Sequence, residues 1–85
     1  MPGIGLRAIM NQPATLERAR SKVLLIACAD SPKTMMIRWA WCGGYIAALA
    51  VEGLIDLETR WLLESEADQA RDGWSKLDEA DTQVR

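Results

Sequence analysis

The side chains in this 85-residue chain that could carry chemistry are twelve carboxylates, ten Lys or Arg and two cysteines; histidine is absent. Its absence removes the commonest metal ligand and the usual acid–base group near neutral pH. Cys28 and Cys42 do not form a CxxC pair and have no histidine to act as a base, so they read as small buried hydrophobes. Eight carboxylates (Glu58, Glu64, Glu66, Asp68, Asp72, Asp78, Glu79, Asp81) crowd the last third of the chain. A calcium loop needs alternating oxygen ligands around a central glycine, and that pattern is missing. The carboxylates therefore form a solvated face or a docking surface for a basic partner, such as a host protein that normally binds nucleic acid. Gly3-Ile4-Gly5 has neither a strand before it nor a third glycine at the offset a phosphate-binding turn requires. No catalytic, cofactor or metal site is expected, and the chain reads as non-enzymatic.

The net charge of −2 hides an asymmetry. Residues 1–38 hold six cations (Arg7, Arg18, Arg20, Lys22, Lys33, Arg38) against Glu17 and Asp30, whereas residues 39–85 hold ten acids against four bases. Arg18, Arg20 and Lys22 with Trp39 or Trp41 would make a small stacking and phosphate-contact surface, but a pI near 5.0 opposes direct nucleic-acid binding. Hydrophobic content of 49% marks a globular chain, and unpaired cysteines without an export signal predict a reducing, cytoplasmic setting.

The elements that must position these residues are helices. Residues 1–12 form a short N-terminal arm. Pro13 suits a first helical turn, with Asn11 or Gln12 as its cap, and Leu16, Ala19, Val23, Ile26 and Ala27 recur at helical spacing, predicting a helix over 13–29. Ser31-Pro32 is a cap followed by proline at the first position, opening a second helix over 32–52. Gly53 is placed to end it in the left-handed conformation. Asp56 then caps a third helix over 56–81, with residues 82–85 fraying. Leu63, Ala67, Ala70, Trp74, Leu77 and Val84 make its packing seam, widened by Leu57, Trp61 and Leu62, and Gly73 is where it would bend or stop. The fold expected is an all-α three-helix bundle in one domain.

Met35 to Val51 is apolar or small everywhere except Arg38, which predicts burial on several sides. Ala40, Gly44 and Ala48 form one row of small residues and Gly43 and Ala47 a second, where another helix backbone is expected to come close, within the chain or across a homodimer. The segment is short of the about 20 residues a membrane span wants, so a membrane anchor over 35–51 is the lesser alternative and a nucleic-acid-binding regulator the next. Leu25-Ile26-Ala27-Cys28 resembles a lipobox, but its apolar core is too short and follows a stretch containing Glu17.

Gly43 to Asp56, continuing into Trp61-Leu-Leu-Glu-Ser-Glu-Ala-Asp-Gln-Ala, resembles the helix, turn and second helix of small orphan proteins of phages and mobile elements, which include anti-CRISPR and other host-takeover inhibitors. That resemblance implies a small protein that inhibits or modulates a host protein by binding it. On the reading of residue types, Trp61, Glu64, Asp68, Asp72 and Trp74 are the candidate partner-binding residues, and Ala40, Gly43, Gly44, Ala47 and Ala48 the candidate oligomer-packing residues.

Overall fold

The computed structural model describes the backbone of residues 10–84 and the side chains of residues 10–74. The expectations for residues 1–9, and for the side chains of Leu77, Asp78, Glu79, Asp81 and Val84, lie outside the described residues. Three helices follow one another: α1 (Pro13–Ala27), α2 (Pro32–Val51) and α3 (Leu57–Val84). Each packs against both others, giving the three-helix bundle that the periodicity predicts.

Local chemistry explains the boundaries. Helix α1 stops at Ala27, two residues earlier than its apolar pattern suggests: the Cys28 backbone leaves helical geometry (ψ 6°), and the Ala29 amide donates to the Ile26 carbonyl three residues back, at 3.3 Å. Gln12 precedes α1 with extended backbone but no side-chain cap bond. At the start of α2 the Ser31 hydroxyl accepts from the Thr34 amide at 3.1 Å, and Pro32 fills the first position, where no amide is needed. The far end of α2 is a Schellman turn: Gly53 has φ +75°, its amide donates to Ala50, and the Leu54 amide reaches back to Leu49. Asp56 caps α3 by accepting from the Thr59 amide at 2.8 Å. Thr59 first, then Asn11, hold its carboxyl below the ordinary carboxylate range. Helix α3 passes through Gly73 unbroken and its backbone remains helical beyond Thr82 to Val84.

Asn11 clamps the α2–α3 turn from outside. In a left-handed conformation (φ 57°), it donates its backbone amide to Leu54 at 2.8 Å and its side-chain amide to Asp56 at 2.9 Å. Its side-chain carbonyl accepts from the Asp56 amide at 3.2 Å. Three ties then mark out the α1–α3 pairing: Asn11 with Asp56, Arg20 with Glu66, and the Trp74 indole with the Ala29 carbonyl. Their near-constant sequence offset, 45 or 46 residues, means that α1 and α3 run parallel, with α2 antiparallel between them.

The core is one cluster. Ala19 and Ile26 come from α1, Met35, Cys42, Ile46 and Leu49 from α2, Leu63 and Ala67 from α3, and Ala29 and Ile55 from the connections. Burial pushes the Cys42 thiol up from its ordinary value, as expected of an inert packed cysteine, whereas Cys28 is exposed, contrary to its reading as a buried hydrophobe. The larger correction concerns α2. It buries one stripe only, and Ile37, Trp41 and Val51 stand exposed on the opposite side, because two neighbouring helices cover only half of a helix that is apolar all round.

Candidate functional site

The exposed side of α2 is a ridge with a groove on each flank. Ile37, Trp41, Gly44, Ala48 and Val51 recur every three or four residues, Ala40 adjoins Trp41, and all six are exposed. Trp41 is 74% exposed and Val51 80%, values a packed core does not leave. Among the described residues, no atom beyond the local backbone of α2 lies within 4 Å of a methyl group built on Gly43 or Gly44, so neither α1 nor α3 comes close at these two glycines. Ala40 and Ala48 are likewise exposed and Ala47 is half-buried.

Toward α1 lies a basic, aromatic groove of about 340 Å³ lined by Lys22, Leu25, Arg38, Trp41, Cys42 and Tyr45. Arg38, the lone charge in the apolar segment, donates to the Leu25 carbonyl at 2.8 Å, which orients its guanidinium, and it pairs with no carboxylate among the described residues. The Lys22 ammonium sits 5.2 Å from the Tyr45 ring centroid, a cation–π distance. No carboxylate is among the lining residues.

Toward α3 lies a cleft of about 370 Å³ lined by Trp39, Ala40, Gly43, Gly44, Glu64, Ala67 and Asp68. Its charged members are acids. Asp68 accepts from the Trp39 indole at 3.0 Å, and Arg71 stacks over the same ring at 4.5 Å while pairing with Asp72. Glu64 pairs with Arg60 one turn away. Gly43 and Gly44 line this cleft without side chains, and a methyl group built on either meets open space.

Residues assigned from sequence to two separate roles thus meet in one place. Ala40, Gly43 and Gly44 from the packing set face Glu64 and Asp68 from the partner-binding set across the cleft. Trp61 is 63% exposed and Asp72 is exposed, both outside the cleft lining. Leu57, Trp61 and Leu62 do not widen the packing seam of α3; all three are exposed. Trp74 is half-buried: it packs on the core and donates its indole N–H to Ala29 at 2.8 Å, so it also helps to fix the bundle.

The α1–α2 groove was missed as a unit. Trp41 lies in an all-round apolar run, so nothing in the sequence separates its exposed side from the buried stripe of Met35, Cys42, Ile46 and Leu49. Lys22 comes from another helix, and no pattern in the sequence places it there.

Among the described residues no group of three or more potential ligands could hold a metal ion. No described helix is long and apolar enough to cross a membrane. Searches of protein-family models, curated proteins and solved structures found no match to this chain.

Proposed function

We propose that this chain is a non-enzymatic interaction module that self-associates and binds a basic protein, modulating that protein by occupying its surface. The observation that carries the reading is the exposed stripe on α3. Leu57, Trp61, Glu64, Asp68 and Asp72 recur at helical spacing, so an exposed indole stands beside a row of carboxylates. An exposed tryptophan is the residue type that anchors an interface centre, and acidic groups around it, as a rim, favour partners of opposite sign. A protein target suits this surface better than nucleic acid, since the net charge is −2 and the α1–α2 groove offers two cations only. The likeness to phage-type inhibitors gives the proposal its form: a small cytoplasmic protein acting on a host nucleic-acid-binding protein. Its test is affinity capture with the intact chain beside Trp61→Ala and Asp72→Lys variants. The proposal expects a basic protein retained by the parent chain and lost from both variants at unchanged helicity. Equal retention by all three would refute the assignment of α3.

A further inference from the structure

We infer that the exposed ridge of α2 is covered by α2 of a second copy of this chain, running parallel to it, with Trp41 of each copy seated in the α2–α3 cleft of the other. The inference rests on reading the α2–α3 surface as an interaction surface, and it adds the occupant and its orientation. Three observations lead to it. First, Trp41 projects from the flank beside α1, whereas the cleft opens on the flank beside α3, and Trp41 and the cleft residues Ala40, Gly43 and Gly44 lie at the same level of the helix. Second, the flank bearing Trp41 carries Lys22 and Arg38, and the charged residues lining the cleft on the other flank are Glu64 and Asp68, while Arg60 pairs with Glu64 and Arg71 pairs with Asp72 and stacks on Trp39. Third, neither Arg38 nor Asp68 has an ionic partner within its own chain among the described residues: Arg38 donates to a carbonyl and Asp68 accepts from an indole.

Symmetry then selects the orientation. If two copies pair through α2 about a two-fold axis parallel to the helices, the right flank of one meets the left flank of the other at the same height. The Trp41 flank therefore meets the cleft, and Arg38 and Lys22 meet Asp68 and Glu64, each contact occurring twice. An antiparallel pair has its two-fold axis across the helices and joins like flanks. It would put the basic groove against itself and leave both Trp41 side chains away from the clefts. Complementary flanks favour the first arrangement and disfavour the second.

The test uses the full chain, purified alone, so its outcome is independent of the capture experiment on Trp61 and Asp72. Sedimentation equilibrium across the micromolar to millimolar range should show a dimer. Trp41→Ala should weaken it about thirtyfold or more, as for a central interface aromatic, at unchanged helicity. Arg38→Glu should weaken it about tenfold or more, and the double change Arg38→Glu with Asp68→Lys should restore it. For orientation, Ala40→Cys and Ala48→Cys are made singly in a Cys28→Ser background and oxidised. A parallel pair brings each position onto itself, within the Cα separation a disulfide spans, so both variants should cross-link. These positions are eight residues apart, about 12 Å along the helix, so an antiparallel pair can align only one of them with itself. A strict monomer, a dimer indifferent to Trp41, or cross-linking at only one position or neither would overturn the inference.

Discussion

The two faces of α2 have nearly the same chemistry and opposite fates. Met35, Cys42, Ile46 and Leu49 are buried, while Ile37, Trp41 and Val51, on the other side of the same helix, face outward. Hydrophobicity alone cannot explain the division. The buried face is the one opposite α1 and α3, where small residues (Ala19, Ala29, Ala67) let the helices close around Ile46 and Leu63. The exposed face carries its small residues on α2 itself, with none of the described residues laid over them. An apolar helix in a three-helix bundle thus has one side that makes the fold and one that its two neighbours leave uncovered.

The sharpest way to break this comparison is to truncate one residue on each face and measure urea unfolding at a dilution where the chain is monomeric. Ile46→Ala, at a fully buried site, should cost about 2–5 kcal/mol. Trp41→Ala should stay within about 0.5 kcal/mol although it removes more apolar surface. Comparable losses would mean that Trp41 is covered within its own chain. The glycines offer a test in which the sign differs. Gly53 occupies a left-handed conformation that a side chain disfavours, so Gly53→Ala should cost about 1–2 kcal/mol. Gly44 is helical with open space around it, so Gly44→Ala should raise monomer stability by about 0.5–1 kcal/mol. A loss at Gly44 would show that another backbone of the same chain does come close.

Smaller effects sharpen the contrast between the two exposed-or-buried tryptophans of α3. Trp74→Phe keeps the ring and removes the indole donor to Ala29, and should cost about 1 kcal/mol in the same unfolding assay. Trp61→Phe, on an exposed side chain, should cost nothing measurable.

The turns were legible in the sequence because their chemistry is local. Ser31 before Pro32, Gly53 after the last turn of α2 and Asp56 three residues before Thr59 each act on backbone groups within a few residues, and the structure shows all three in those roles. The packing of Trp74 was legible too, since it continues the Leu63, Ala67, Ala70 stripe; its residue type drew attention to binding where its position indicated packing. Which face of α2 is buried could not be read. Periodicity identifies an inner face by contrast with a polar outer one, and in Met35 to Val51 only Arg38 breaks the apolar run. The Asn11 clamp was illegible for another reason: it joins residues 45 apart through a left-handed backbone that only the assembled bundle demands.

Polar contacts at the rim of the bundle should matter less than either face of α2, and two of them can be ranked. Asp56 is held ionised by Thr59 and Asn11, so its folded-state pKa lies below its unfolded value. The stability this contributes is present above the unfolded carboxylate pKa, about 3.9, and is lost as pH falls through the lower folded value. Asp56→Asn keeps an oxygen for the Thr59 amide but does not titrate, so the gap between the melting temperatures of parent and variant should close as pH drops below about 4. A gap that is constant with pH would place the contribution of Asp56 in the cap alone. Arg20 and Glu66 come last. Their two N–H···O contacts are both 3.1 Å, a well-formed fork, but the side chains are 48% and 29% exposed. Water screens such a pair, and Glu66→Gln should cost well under about 1 kcal/mol, with most of that removed by salt. A salt-independent loss as large as that of Ile46→Ala would mean that the α1–α3 rim, not the buried stripe of α2, holds the bundle together, and the contrast between the two faces of α2 would no longer account for its stability.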